Sequence, residues 1–121
     1  MKGSLSASEV AAVFEKRLTP FFSFPLKLLA DVQPLAEGGA AVKTAFAVPK
    51  RLVKRATARN RLKRQMRAAF QRQEGSLRGM LATAQAYSLI FLYSDGKAEA
   101  PFADIEKAIY NNVKALANHA K

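Results

Sequence analysis

The chain contains no cysteine and no tryptophan, and its single histidine, His119, stands near the end of 121 residues. Without cysteine there can be no disulfide and no thiolate metal site, which fits a cytoplasmic protein. One histidine is too few for a His-based metal centre or catalytic pair. Acid is scarce: 9 Asp and Glu stand against 20 Lys and Arg, for a formal net charge of +11 and a pI near 10.4. The acids Glu9, Glu15, Asp31, Glu37, Glu74, Asp95, Glu99, Asp104 and Glu106 are scattered. Asp104 and Glu106 are near neighbours, but on a helix they fall on different sides, so no carboxylate spacing suits two-metal phosphodiester chemistry. Glycine-rich phosphate loops and nucleophile elbows are also missing. No apolar run approaches the ~20 residues of a membrane span. Met1-Lys2-Gly3-Ser4 leads directly into a polar helix pattern, without a secretory apolar segment. These absences argue against an autonomous nuclease, a small-molecule enzyme and a membrane protein. The length fits one domain, residues 1–121, with one modest core.

What the chain does have is concentrated. Lys50 to Arg72 holds ten of the 20 basic residues and no acid, and no acid occurs from Gly38 through Gln73. Charge of this kind is not balanced from within and favours a polyanionic partner. From Ala58, apolar residues recur at Leu62, Met66, Ala69 and Phe70, the spacing of one buried helix face. Arg59, Lys63 and Arg67 form a row beside that face. Asn60 and Arg64 extend the polar surface, and Arg61 and Arg72 lie further round. Guanidinium forks, ammonium groups and one amide within two turns suit a folded RNA. The competing explanation is a solvated helix with surplus charge. Asn60 has two explanations of its own, an RNA contact or an N-cap of a helix starting near it.

Along the chain, Ser6 and Glu9 form a capping-box pattern, with Leu5 placed to staple against Val10. The stripe Val10, Val13, Phe14 and Leu18 predicts a helix ending near Arg17, before Pro20. Phe21 to Val32 reads as a strand with Phe22, Phe24, Leu26 and Leu28 on one face and Ser23 and Lys27 on the other. Pro25 implies a free edge or a bulge there. Turn residues at 33–39 and a strand at 40–48 suggest a hairpin. After the basic helix, Gly75 and Gly79 interrupt the pattern around a short, helix-compatible Ser76-Leu77-Arg78. Ala86 to Tyr93 is the most apolar strand, expected at the centre of a sheet, and 94–97 is a turn. Pro101 opens a last helix with Phe102, Ile105, Ile109, Val113 and Leu116 buried, and with Tyr110, Asn111, Asn112, Lys114 and Asn118 outward or flanking. The order helix, strand, strand, helix, strand, helix, with room for one strand to be split in two, predicts an α+β domain with helices on a small mixed sheet.

Arg59-Asn60-x-x-Lys63-Arg64-x-x-Arg67, preceded by Val48-x-Lys50-Arg51, resembles the signature of the bacterial ribonuclease P protein component. The chain departs from the family pattern at Pro49, often Ser, at Leu52 and Val53, near a usual Gly, and in a slightly longer Lys50-to-Arg59 connector. The resemblance implies a fold like domain two of ribosomal protein S5, with a left-handed βαβ crossover where chain geometry alone favours a right-handed one. It implies a ribonuclease P subunit whose partner RNA carries the active site and its Mg²⁺, with no cofactor bound by the protein alone. Lys50, Arg51, Lys54, Arg55, Arg59, Asn60, Arg61, Lys63, Arg64 and Arg67 would contact the ribonuclease P RNA. Phe14, Phe22 and Phe24 would line a cleft between the basic helix and the sheet, holding the 5′ leader of precursor tRNA. Core packing is the alternative for each of these aromatics. The competing function is a ribosomal or general RNA-binding protein, which would share the charge and lack leader dependence. A DNA-binding helix would need a partner helix before it, and none is apparent. A membrane-surface role would need a richer apolar face.

Overall fold

The computed structural model describes residues 4–35, 42–81, 85–95 and 100–119. The turns expected at 36–39 and 96–97, and the strand start at 40–41, lie outside these residues. The elements are α1 (Ala7–Glu15), β1 (Phe21–Ser23), β2 (Leu26–Pro34), β3 (Val42–Ala47), α2 (Ala56–Arg72), α3 (Glu74–Met80), β4 (Gln85–Tyr93) and α4 (Phe102–His119). The strands form one mixed sheet in the order β1-β2-β4-β3.

β4 sits between β2, antiparallel to it, and β3, parallel to it. Leu89, Ile90 and Phe91 are all fully buried, so both faces of the strand are covered, as its near-continuous apolar run requires. This placement corrects the expected β2–β3 hairpin, because β4 separates the two. It also requires the basic helix to serve as the crossover between parallel β3 and β4.

The expected strand over 21–32 is two strands. The chain reverses at Phe24-Pro25, and Phe21, Phe22 and Ser23 pair back onto Leu28, Lys27 and Leu26. Pro25 has no N–H for a ladder, so the run breaks there. The reversal separates residues that strict alternation puts on one face. Leu26 and Leu28 are buried, whereas Phe22 and Phe24 are 61% and 56% exposed.

One sheet face carries the main core. Leu26, Leu28, Tyr87, Leu89 and Phe91 meet Leu62, Met66, Ala69 and Phe70 of α2, Leu77 of α3, and Ile105, Ile109, Val113 and Leu116 of α4. The glycines that break the sequence pattern at 75 and 79 lie inside α3, and burial of Leu77 anchors that short helix. Asn112, expected outward or on the flank, is buried and donates from Nδ2 to the Leu26 carbonyl at 3.3 Å. The Tyr93 hydroxyl donates to Asp95 at 3.2 Å and accepts from the Ala100 N–H at 3.3 Å, and burial pushes its pKa up.

The opposite face carries α1. Val13 packs on Leu29 and Ile90, flanked by Leu5, Val10 and Leu18. The capping box is complete: Ser6 Oγ accepts from the Glu9 N–H, and Glu9 accepts from the Ser6 N–H. Two ion pairs pin the helix across the sheet, Glu9 to Lys43 of β3 at 2.9 Å and Lys16 to Asp31 of β2 at 2.7 Å. The Ser6 N–H and the Lys43 ammonium hold the Glu9 carboxyl down at about 2. A carboxylate so depressed contributes stability that is present above its ordinary value of 4.5 and is lost as pH falls toward about 2. Glu9→Gln should therefore lower the melting temperature at neutral pH. It should also lose less stability than the parent between about pH 4.5 and about pH 2, measured by thermal melts across that range.

Candidate nucleic-acid interface

The connector after β3 is built on apolar anchors. Val53 is buried in the main core and Leu52 packs against it. The N–H groups of Leu52 and Val53 both donate to the Pro49 carbonyl, each at 3.1 Å. With the intervening apolar residues turned inward, Lys50, Arg51, Lys54 and Arg55 are all exposed. The connector is folded around the inward side chains of Leu52 and Val53.

α2 begins at Ala56, with Arg55 at the N-cap making no side-chain cap bond and no acid in the first turn. Asn60 is therefore inside the helix and exposed, which removes its capping explanation. The uncapped start leaves first-turn N–H groups and the positive end of the helix dipole among the connector's cations.

The buried stripe splits the basic residues of α2 by side. Asn60 and Arg64 point outward and are exposed, as is Arg61 on one flank. Further along that flank, Arg72 is tied inward, to Glu106 at 3.3 Å and over the Phe102 ring at 5.5 Å. On the other flank are Arg59, Lys63 and Arg67. Arg67 is exposed and lies over the Phe46 ring at 5.5 Å, and Lys63 is half-buried. Arg59 differs from its neighbours. Its Nη1 donates to the carbonyls of Val53 at 2.9 Å and Lys54 at 2.8 Å, clamping the connector to the first turn of α2. Nothing in the spacing of the row distinguishes this clamp from a phosphate contact.

The space between α2 and the sheet is filled by the main core. The open surface is on the opposite face, where α1 covers only part of the sheet. Strand register places Lys43, Ser88 and Asp31 in one row and Ala45, Ile90 and Leu29 in the next. α1 holds both rows through its ion pairs and Val13. The following row, Ala47, Leu92, Lys27 and Phe22, is half-buried to exposed. It adjoins the end of β3, where the connector with Lys50 and Arg51 begins. Phe22 thus stands on this open row, Phe14 is 43% exposed on α1, and Phe24 is exposed in the β1–β2 turn. Among the described residues no ring contact joins the three. Sequence reasoning did not assign Lys27 and Leu92 to this surface. The outward phase of Lys27 was the available signal, but its row partners depend on long-range register.

Among the described residues no group of His, Cys, Asp or Glu is placed to hold a metal ion, and no helix is long and apolar enough to cross a membrane. A clamped cationic connector and helix beside a half-open sheet face define a small basic RNA-binding protein of the α+β class. The family model for ribonuclease P matches residues 6–117. The chain belongs to the ribonuclease P protein family and is the protein subunit of an endoribonuclease ribonucleoprotein, with ribonuclease P RNA as its partner. In fold it is similar to the ribonuclease P protein of Thermotoga maritima, at 16% identity and a TM-score of 0.69, covering 93% of this chain and 96% of that one. It is also similar to the Staphylococcus aureus ribonuclease P protein, at 13% identity and a TM-score of 0.68, covering 96% of each chain. No curated protein matches the chain by sequence.

Arg59→Gln should loosen the connector rather than the whole domain. Losing the fork should cost about 1 kcal/mol locally, seen as roughly five-fold faster amide exchange at Leu52 and Val53 with little change in the β4 amides. Unchanged exchange at Leu52 and Val53 would remove the clamp.

Proposed function

We propose that the chain binds the ribonuclease P RNA through the exposed side chains of Lys50, Arg51, Lys54, Arg55, Asn60, Arg61, Arg64 and Arg67, with Lys63 at their edge. The open row of the α1-bearing face then receives the single-stranded 5′ leader of precursor tRNA, with Phe22 and Phe14 as stacking surfaces and Lys27, Lys50 and Arg51 as backbone charges. Phe24 extends this surface at the sheet edge. Stacking and backbone charge tolerate sequence variation, which suits a leader. The observation that carries this reading is adjacency: the exposed row ending in Phe22 and the cationic connector meet at one end of the sheet. Two RNA strands could be held side by side there.

In this reading the protein positions RNA and the partner RNA does the chemistry. Among the described residues no group of His, Cys, Asp or Glu is placed to hold a metal ion, and in this reading Mg²⁺ acts with the RNA subunit. The setting is the cytoplasm, where precursor tRNA is processed. Reconstitution with a bacterial ribonuclease P RNA and precursor tRNA at low Mg²⁺ tests the proposal. Cleavage should require both components, and cleavage by ribonuclease-treated protein alone would refute it.

A general RNA-binding protein would pass a binding assay but would not sense the leader. Phe22→Ala should weaken binding of leader-bearing precursor tRNA to the reconstituted complex by ~1–3 kcal/mol, the scale of one base–aromatic stack. Mature tRNA should bind the variant complex as it binds the parent. Equal losses for both would favour the general binder.

Replacing Lys50, Arg51 and Arg64 together by Gln should weaken ribonuclease P RNA binding and flatten its salt dependence. Each lost phosphate contact removes roughly 0.7–0.9 from the log–log slope. A folded triple variant with the parent slope would place the RNA surface elsewhere.

A further inference from the structure

Beyond the connector, at the far end of the row of Arg59, Lys63 and Arg67, a cavity of about 470 Å³ opens between edge strand β3 and the junction of α2 with α3. Its size is that of pockets taking small ligands, roughly 300–1,000 Å³. Phe46, Arg67, Gln71, Glu74 and Arg78 line it on the aromatic and polar side. It opens along the outer edge of β3, with Ser4, Leu5, Val42, Thr44 and Ala45 also in its lining, and the open row of the leader surface begins one residue beyond Phe46, at Ala47.

The wall has an ordered build. Phe91, fully buried, stacks on Phe46 at 5.7 Å with an interplanar angle of 12°. Phe70 meets the same ring edge-on at 6.1 Å. The Phe46 ring is thereby fixed, and the Arg67 guanidinium lies over it at 5.5 Å. A guanidinium packed on a ring keeps its second face and its N–H edge for a ligand. Arg67 has no carboxylate partner among the described residues. Glu74, the acid in the lining, is occupied by Arg78, whose Nε and Nη2 approach Glu74 Oε2 at 2.9 and 2.7 Å. That pairing neutralises Glu74 and leaves Nη1 of Arg78 as a further donor. Gln71 is exposed and offers an amide that can both donate and accept. A flat cation, an amide and a second guanidinium around a space of this size match one nucleotide. Unpaired RNA bases stack on arginine planes and are read along their edges in this way.

We propose that this cavity is a pocket for a single unpaired nucleotide of the bound RNA. The base stacks on Arg67, Gln71 meets its edge, and the phosphate lies by Arg78. The inference rests on the ribonuclease P RNA reading above and extends the RNA track from the connector to α3.

The test titrates the folded protein with adenosine 5′-monophosphate, adenosine and inorganic phosphate, followed by NMR at the Phe46 ring and the Arg67 Nε–H. The monophosphate should shift both signals saturably, and inorganic phosphate should leave the ring signals unmoved. Arg67→Lys keeps the charge and loses the plane. It should weaken the monophosphate at least ten-fold and ribonuclease P RNA several-fold, with the salt slope retained. Arg78→Gln should weaken the monophosphate and leave adenosine unchanged. Equal ring shifts with inorganic phosphate, or parental monophosphate binding by Arg67→Lys, would overturn the pocket. The Lys50, Arg51, Arg64 triple variant should respond to the monophosphate as the parent does. If the parent fails to bind ribonuclease P RNA, the functional reading falls, and the monophosphate titration still decides the pocket.

Discussion

Parallel pairing of β3 with β4 is the constraint from which the surface follows. Two parallel neighbours cannot be joined by a tight turn, so the chain must leave one end of the sheet and return to the other across one face. α2 and α3 make that crossing, and burial of Leu62, Met66, Ala69 and Phe70 against Leu89 and Phe91 holds them down. On its own α2 would be a poor helix. Arg59, Lys63 and Arg67 repel one another at i,i+4 spacing, no acid lies in the first turn, and the N-terminus has no side-chain cap. Core packing overrides that repulsion and keeps the cations at high density on a fixed surface.

The other face is divided by electrostatics. α1 is only nine residues long, and its position is set by pairs to β3 near one end and β2 near the other. Glu9 and Asp31 are thereby used within the fold, and Lys43 and Lys16 are neutralised with them. Lys27 stays exposed on the open row, alongside the exposed cations of the connector and α2. Of the described acids, Glu9, Asp31, Glu74 and Glu106 are paired with cations within the fold.

Arg59 shows why a motif and a contact list are different things. A basic row on a helix predicts that each member meets phosphate, yet Arg59 spends donors on the Val53 and Lys54 carbonyls. Its bonds hold the connector that carries Lys50, Arg51, Lys54 and Arg55 against the first turn of α2. Arg67 is likewise shaped by its neighbours: over Phe46 it becomes a plane as well as a charge.

Composition, periodicity and local pairing were enough to read much of this protein. The lack of Cys and the single His, the basic run, the capping box at Ser6 and Glu9, the buried faces of α2 and α4 and the central β4 are all local or compositional signals. Each reports how one segment meets water or its near neighbours. The Arg59 to Arg67 signature was local too, and through it the family could be recognised. The strand order, the break at Phe24-Pro25, the face left open beside α1, the burial of Asn112 and the clamp made by Arg59 were decided by the tertiary structure. Periodicity shows that a face is buried but not what buries it. Adjacent strands usually pair, which favours a β2–β3 hairpin, but a strand as apolar as β4 must be covered on both sides and takes the place between them. Once β4 is there, register alone sets which aromatics stay in the core and which, like Phe22, stand on the open row.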